Sequence, residues 1–377
     1  MSGEASGDMH GAKLANSLHA QDDRLILFGI GGERMQAAGV RIDVDAHRLS
    51  VVGITEVFAK LPQILDGMRT AKRLLVENKP DLLILIDFPD FNLHLASHAK
   101  KHGIPVLYYI SPQIWAWRRG RVRKIKRLVD HMAVILPFEE IFYRQHGVPV
   151  TFVGHPLMDQ YSTAPKQPKR SSEDNTVTVG LLPGSRDSEV TKLLPSMLAA
   201  AKRIHQQKPN TRFLLSRARS VASSPVERMV KESGVKVILH DGSTDALLEQ
   251  ATVVIVASGT TTLEAAIHET PMIIVYRISP LSYRLGKALI RVPHIGLVNL
   301  IADKRVVPEL IQHEASPEQI AQHTLAILKD TTRAKRTRME LAEVRRRLGA
   351  AGASRKVAEI AMRLINQFAP NSYSSPI

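Results

Sequence analysis

A short apolar run that ends in a glycine turn constrains the fold of this chain most. Residues 253–257 are apolar without a break, which is typical of a strand buried on both faces of a parallel sheet. Ser258, Gly259, Thr260 and Thr261 follow, and a helical pattern then begins. Glycine lets the backbone approach a ligand, and a helix start offers N–H groups to an anion. The stretch therefore predicts an α/β fold with, at this turn, either an anion site or a well-capped helix.

The alternation of strands and helices extends in both directions from this stretch. A polar, proline-containing segment at 164–175 separates two groups of predicted strands, which indicates a linker. Glycine turns on the second group and carboxylates on the first predict a cleft between two domains. We expect an N-terminal Rossmann-like domain at 1–163, a C-terminal Rossmann-like domain at 176–345, a C-terminal helix at 346–370 and a disordered tail at 371–377.

The start of the chain is unusual for such a fold. Residues 3–8 form a turn that normally follows a strand, yet only Met1 and Ser2 precede it. Either the start of the chain is truncated or mis-assigned, or the first strand of the N-terminal domain is missing. Of these we favour a start that has been assigned too far downstream.

Composition limits the classes of protein that this chain can belong to. The 377 residues include no cysteine, which excludes disulfides and thiolate chemistry and suits a reducing cytosol. Neither a signal peptide nor an apolar run of about 18 residues occurs. The 51 Lys and Arg residues exceed the 36 Asp and Glu residues and give a net charge of +15, which favours nucleic acid, anionic lipid or phosphorylated substrates as partners.

Two further strand ends carry chemically useful side chains. Asp87 directly follows the predicted strand 81–86, at the edge where open α/β sheets bind ligands, and is our candidate general base. Arg186 lies in a glycine turn after the run 177–182, where its guanidinium could bind a diphosphate through two N–H groups. Glu264, in the helix that follows the turn at 258–261, could accept hydrogen bonds from sugar hydroxyls.

Two segments leave a membrane role open. Apolar residues between Ile54 and Met68 recur at steps of three and four, which predicts either a core-facing helix or a surface that enters a membrane or holds acyl chains. Trp115 and Trp117 precede residues 118–127, of which seven are Arg or Lys. This second segment fits nucleic acid, anionic lipid headgroups or a solvated helix face.

Several motifs together resemble the lipid-A-disaccharide synthase family, in order over nearly the whole chain. They are GEASGD at 3–8, DFPDFN at 87–92, SPQIWAWR at 111–118, FVGHP at 152–156, LPGSR at 182–186, ASGTTTLE at 257–264 and NLI at 299–301. The resemblance implies an inverting GT-B glycosyltransferase with two Rossmann-like domains facing a cleft and C-terminal helices that pack back on the N-terminal domain. It implies no metal ion and no other cofactor.

The resemblance also implies the reaction and its location. The family joins UDP-2,3-diacylglucosamine to 2,3-diacylglucosamine 1-phosphate, releasing UDP, at the cytoplasmic face of the inner membrane of Gram-negative bacteria. It further implies a homodimer and no nucleic-acid partner. The implied catalytic residues are Asp87 and Glu4; the implied UDP-side residues are Ser185, Arg186, Ser258, Gly259, Thr260, Thr261, Glu264 and Asn299; and the implied membrane and acyl-binding residues are Val57, Phe58, Leu61, Ile64 and Leu65.

Two other functions stay open from the residues alone. A UDP-sugar epimerase or hydrolase of the same fold shares the UDP side but has no need of the apolar stripe. A basic RNA-binding protein would explain the net charge of +15 without a nucleotide site.

Overall fold

A computed structural model describes residues 1–3, 5–46, 61–161, 177–218, 220–290 and 292–368. Glu4, Val57 and Phe58 lie outside these residues, as do the predicted linker 164–175 and the predicted tail 371–377. The chain divides into two compact units: unit 1 comprises Met1–Ser162 with Leu348–Ile377, and unit 2 comprises Thr163–Arg347. Within the described residues, no helix has both the length and the apolar character that crossing a bilayer requires.

Unit 1 contains parallel strands flanked by helices. Its strands are β1 (Phe28–Gly31), β2 (Arg41–Asp45), β3 (Leu83–Ile86), β4 (Val106–Tyr109), β5 (His131–Val134) and β6 (Val150–Phe152). Its helices are α1 (Ala5–His19), α2 (Glu33–Ala37), α3 (Leu61–Asn78), α4 (Pro89–Lys101), α5 (Ile114–Trp117), α6 (Val122–Leu128) and α7 (Pro137–Gln145). Strands β3 to β6 pair in sequence order, and β1 pairs with β2.

The first two residues lie between these two groups of strands. The Ser2 N–H donates to the Ile30 carbonyl at 3.0 Å, and the Ile86 N–H donates to the Met1 carbonyl at 2.9 Å. Ser2 thus forms an isolated parallel bridge to Ile86 and joins β1 to β3. The strand order reverses at this position, so the turn after Ser2 and the residue after β3 lie at the same edge. The expected upstream strand stays a prediction.

Unit 2 is a six-stranded, all-parallel sheet with the order β12-β11-β10-β7-β8-β9. Its strands are β7 (Val177–Leu182), β8 (Thr211–Ser216), β9 (Val237–His240), β10 (Val253–Ala257), β11 (Met272–Tyr276) and β12 (Glu309–Ile311). Its helices are α8 (Asp187–Gln207), α9 (Ser223–Ser233), α10 (Thr244–Gln250), α11 (Thr261–Ile267), α12 (Pro280–Leu289), α13 (Leu297–Ala302), α14 (Pro317–Lys329) and α15 (Thr331–Arg347). All five residues of β10 are buried, as its unbroken apolar sequence predicts.

The last described helix, α16 (Ala353–Phe368), returns to unit 1. Its Val357 and Ile360 share a buried cluster with Leu14 and Leu18 of α1. The predicted packing of the C-terminal helix on the N-terminal domain is therefore confirmed.

The start of α2 is held by a buried carboxylate from α1. Asp8 accepts hydrogen bonds from the backbone N–H groups of Gly32 at 2.7 Å, Arg34 at 3.1 Å and Met35 at 3.1 Å. Gly32, the residue that precedes α2, supplies no side-chain cap of its own. Asp8 therefore fixes the strand-to-helix connection after β1 at the edge of the sheet where Gly3 lies.

We expect Asp8→Ala to lower the free energy of unfolding by about 3 kcal/mol, because two buried N–H groups and one partly buried N–H group lose their acceptor. Urea denaturation followed by circular dichroism measures the change. The matched control is Asp22→Ala, which removes a carboxylate bonded to the nearby, exposed Arg24, and it should change stability far less. An Asp8→Ala curve that overlays the wild-type curve would contradict the assigned role of Asp8.

Candidate active site

The two glycine turns of unit 2 lie at the point where its strand order reverses. From β7 the chain builds β8 and β9 on one side of the sheet, and it then returns to add β10, β11 and β12 on the other. Strands β7 and β10 are therefore adjacent, and both run parallel. The turn at 183–186 and the turn at 258–261 follow the carboxyl ends of these two strands. Open α/β sheets bind ligands at this position.

The first turn, at Gly184, Ser185 and Arg186, presents both a backbone donor and a guanidinium. The Ser185 N–H donates to Glu189 Oε2 at 3.1 Å, and Arg186 Nη1 donates to Glu189 Oε1 at 3.4 Å. Gly184 has φ = +117°, and a side chain there would collide with the Glu189 carboxylate. The turn therefore binds a carboxylate through the N–H and guanidinium groups that also suit a phosphate. Sequence reasoning did not single out Glu189.

The second turn, at Ser258 to Thr261, leaves its side-chain hydroxyls available. Helix α11 begins without a side-chain cap, so a well-capped helix does not account for these residues. Among the described residues, none accepts a hydrogen bond from the hydroxyls of Ser258, Thr260 or Thr261. Gly259 is exposed, and a Cβ there would meet nothing within 4 Å, so its backbone is open to close approach by a ligand.

Glu264 lies in the first turn of α11 with an unusual environment. Burial, and secondarily the charge of Asp245, raises the pKa of the Glu264 carboxyl from 4.5 to about 7. Asp245 is in turn 3.0 Å from His268 Nε2, which lies one helical turn beyond Glu264. A half-buried carboxyl group that titrates near neutral pH can donate a hydrogen bond to a sugar hydroxyl when protonated and accept one from it when ionised.

Asn299 is buried, and its amide is wholly engaged within the protein. Its Nδ2 donates to the Val307 carbonyl at 2.9 Å and to Glu309 Oε1 at 2.7 Å. Its Oδ1 accepts from the N–H groups of Val306 at 2.8 Å and Val307 at 3.1 Å. Direct contact with a nucleotide would break buried hydrogen bonds, so we expect Asn299 to act by holding the segment before β12 against α13.

Asp87 follows β3 with a backbone conformation that few residues adopt. Asp87 has φ = +47° and Phe88 has φ = +49°, two consecutive non-glycine residues in the left-handed region. The Asp87 carbonyl accepts from Asn92 Nδ2 at 2.6 Å and from the Tyr108 hydroxyl at 2.6 Å, which hold this conformation. Such strain costs about 1–3 kcal/mol per residue and concentrates at functional sites. The side chain of Phe88 lies so close to Gly3 that no side chain fits there.

The two tryptophans have different environments. Trp115 is buried, and its Nε1 donates to Glu139 at 3.0 Å. Burial raises the pKa of the Glu139 carboxyl to about 7, and sequence reasoning did not identify this residue. Trp117 is 44% exposed, and the Arg118 guanidinium lies 3.9 Å from its ring centre. Trp117 therefore belongs to the surface, whereas Trp115 belongs to the core of unit 1.

The described part of the apolar stripe is divided between core and surface. Leu61 and Leu65 of α3 are 44% and 47% exposed, whereas Ile64 packs against the buried cluster of unit 1. Arg69 and Arg73 are exposed on the same helix. The surface of α3 therefore combines exposed leucines with basic side chains.

Solved structures with the same architecture define the class of fold. The chain aligns with Acinetobacter baumannii MurG at a TM-score of 0.60 and 14% identity, covering 95% of this chain and 97% of that chain. It aligns with UDP-GlcNAc 2-epimerase from Neisseria meningitidis bound to UDP-GlcNAc at a TM-score of 0.57 and 11% identity, covering 96% and 97%. The fold is that of the GT-B glycosyltransferases, as predicted.

Sequence comparison then gives the family. Residues 1–363 match the family described as Lipid-A-disaccharide synthetase. Lipid-A-disaccharide synthase from Syntrophus aciditrophicus is 48% identical over 374 residues, and that from Geobacter metallireducens is 45% identical over 371 residues, each alignment covering 97% of both chains. The chain belongs to the lipid-A-disaccharide synthase family.

We expect Glu264→Gln to remove a pH dependence of stability. The folded protein retains the Glu264 proton up to its pKa of about 7, whereas the unfolded chain releases it near 4.5. Between these values the unfolded state binds fewer protons, so stability falls as pH rises, by up to ~1.4 kcal/mol per pH unit. Urea unfolding at several pH values measures the free energy of unfolding. With rising pH this free energy should fall less steeply for Glu264→Gln than for wild type. The control is Glu227→Gln, at an exposed glutamate of α9, and it should behave like wild type. Parallel profiles for all three proteins would contradict the assignment.

Proposed function

We propose that this chain is an inverting glycosyltransferase that condenses UDP-2,3-diacylglucosamine with 2,3-diacylglucosamine 1-phosphate. The products are a β-1,6-linked disaccharide 1-phosphate, as in lipid A biosynthesis, and UDP. The observation that carries this proposal is the match of residues 1–363 to the lipid-A-disaccharide synthase family. The two glycine turns at the reversal of strand order in unit 2 supply the nucleotide site that such a reaction needs.

The diphosphate of UDP binds at the first turn in this proposal. The Ser185 N–H and the Arg186 guanidinium, which bond to Glu189 in the structure, turn to the phosphate oxygens when UDP binds. A guanidinium fits a phosphate through two N–H donors and carries the full positive charge that stabilises a departing diphosphate. Glu189 therefore competes with the diphosphate for these donors.

The rest of the UDP side binds the sugar and ribose hydroxyls. Ser258, Gly259, Thr260 and Thr261 offer hydroxyls and an open backbone, which supports their assignment to this side. Glu264 accepts from a ribose hydroxyl. Among the described residues, no group of three or more His, Asp or Glu side chains could hold a metal ion. The proposal assigns leaving-group stabilisation to Arg186 and the backbone donors.

Asp87 acts as general base in a single displacement. Its carboxylate takes the proton of the acceptor 6-hydroxyl while that oxygen attacks the anomeric carbon, and the bond to UDP breaks as the new bond forms. The configuration at the anomeric carbon is thereby inverted. The strained backbone of Asp87 and Phe88 supports a functional role. Glu4, which precedes α1, is the second candidate for this proton transfer.

The acylated substrates suggest a location at the cytoplasmic face of the inner membrane. Leu61 and Leu65 are exposed apolar side chains on α3, and Arg69 and Arg73 supply the positive charge that anionic lipid attracts. We assign Val57, Phe58 and Ile64 to the same acyl-binding region by family resemblance, with Ile64 packed on the core beneath the surface. Assembly as a homodimer is part of the proposal.

A UDP-sugar epimerase is the second candidate, because solved epimerases share the fold. The two activities give different products. Incubation with UDP-2,3-diacylglucosamine and 2,3-diacylglucosamine 1-phosphate, followed by mass spectrometry, should give the disaccharide and one equivalent of UDP. An isomer of the UDP-sugar as the sole product would favour the epimerase. Binding to RNA without any turnover of either sugar would favour the basic RNA-binding protein.

We expect Asp87→Asn to lower kcat by about 10²–10⁴-fold with little change in KM, because it removes the base and preserves the shape of the site. Asparagine tolerates positive φ, so the substitution does not disturb the backbone. The matched control is Asp90→Asn, which changes a neighbouring carboxylate paired with Arg118 and Arg121 and should stay within a few-fold of wild type. Near-normal turnover by Asp87→Asn would exclude this role for Asp87 and direct attention to Glu4.

We expect the double variant Leu61→Ser, Leu65→Ser to bind anionic phospholipid vesicles at least about tenfold more weakly, since each apolar side chain buried in lipid contributes ~1.5–3 kcal/mol. Vesicle sedimentation measures the bound fraction. Ile26→Ser serves as the control, because Ile26 is 80% exposed in unit 1 but lies outside α3. Equal sedimentation of the double variant and wild type would defeat the membrane proposal.

A further inference from the structure

A cavity separate from the two glycine turns lies in unit 2, along the edge strand β12. Its volume is about 650 Å³, and its walls come from the segment that precedes β12, from β12 itself and from helices α14 and α15. None of the residues of the two glycine turns lines it. Val307 and Leu310 form a buried apolar floor. The cavity is therefore a separate place at which a small molecule could bind.

Basic side chains dominate the rim of this cavity. Arg305, Arg333, His313 and His323 line it, and Glu314 is the one acidic residue among the described residues of the lining. The Arg305 guanidinium donates to the Glu309 carbonyl at 3.0 Å, which fixes its position without neutralising its charge. Across the part of the chain that the structure describes, no carboxylate pairs with the side chain of Arg305 or Arg333.

The positive charges of the two arginines act on His323, which lines the cavity. Burial lowers the pKa of His323, and the charges of Arg333 and Arg305 lower it further, against the opposing effect of Glu314. Because neither guanidinium has a carboxylate partner among the described residues, the two positive charges beside the half-buried imidazole repel each other. An anion that contacts all three groups relieves this repulsion.

We infer that this cavity binds a phosphorylated small molecule, with its phosphate held by Arg305 and Arg333. The planar fork of a guanidinium matches phosphate oxygens through paired hydrogen bonds. The volume of about 650 Å³ exceeds what a single inorganic ion fills, so an organic part of the ligand packs against Val307 and Leu310. His323 contributes a further hydrogen bond. This site is independent of the UDP site proposed above.

Titration calorimetry with inorganic diphosphate, in the presence of saturating UDP, tests this inference on the full chain. Saturating UDP fills the glycine-turn site, so any remaining diphosphate binding reports the cavity along β12. We expect wild type to bind, and Arg333→Gln to bind at least about tenfold more weakly, since a charge-assisted hydrogen bond is lost. The control Arg336→Gln removes the same charge from the same helix but lies outside the lining, and should bind within about twofold of wild type.

Three results would overturn the inference. One is equal weakening in Arg333→Gln and Arg336→Gln, which indicates non-specific attraction to a basic surface. Another is loss of diphosphate binding when UDP is added while wild type and Arg333→Gln bind the same number of UDP molecules, which indicates that diphosphate occupies the glycine turns. The third is no binding by wild type at all. If UDP itself fails to bind, the proposed function is in error, and the comparison of the two arginine variants without UDP still decides this inference.

Discussion

The pairing of β7 with β10 is the constraint on which the account of this protein depends. The chain adds β8 and β9 on one side of this pair and β11 and β12 on the other. The connections that follow β7 and β10 therefore lead away from each other and leave a crevice between them at the carboxyl ends of the two strands. The glycine at 184, with φ = +117°, lets the chain turn there and directs the Ser185 N–H and Arg186 to one side. The proposed phosphate site thus rests on strand order, a positive φ and one guanidinium.

Unit 1 also has a reversal of strand order, but different side chains lie at it. Its strand order reverses between Ser2 and β3, so Gly3 and Asp87 leave the sheet side by side. Here the chain presents a carboxylate held in a strained backbone by Asn92 and Tyr108. Tyr108 is fully buried, so its bond to the Asp87 carbonyl anchors this strained residue to the core. The same reversal of strand order thereby positions the proposed anion site in unit 2 and the candidate base in unit 1.

Much of this could be predicted from local sequence. The buried strand at 253–257, the two glycine turns and the position of Asp87 after a strand all follow from short patterns, and the family follows from seven motifs. What could not be predicted depends on contacts between distant residues. Strand β12 is three residues long and has no distinctive pattern, and the polar–apolar alternation of β2 covers only five residues, so neither was predicted. Glu139 and the buried amide network of Asn299 are recognisable only once their partners are in place.

The division of the apolar stripe illustrates the same limit. Periodicity marks Leu61, Ile64 and Leu65 alike, because it reports which residues share a helix face and not what covers that face. In the structure Ile64 packs on the core while Leu61 and Leu65 are exposed. A hydrophobic period therefore predicts the helix, and only the neighbouring elements determine which leucines a bilayer could reach.

The most direct test of the central claim is to measure how tightly the two variants Arg186→Gln and Glu189→Gln bind UDP. Both side chains are polar and partly exposed, and they bond to each other at 3.4 Å. The account predicts opposite effects in titration calorimetry: Arg186→Gln loses a phosphate donor and binds UDP about tenfold more weakly, whereas Glu189→Gln removes a competing carboxylate and binds it more tightly. Weaker binding by both variants, or no change in either, would contradict the assignment of the diphosphate to this turn.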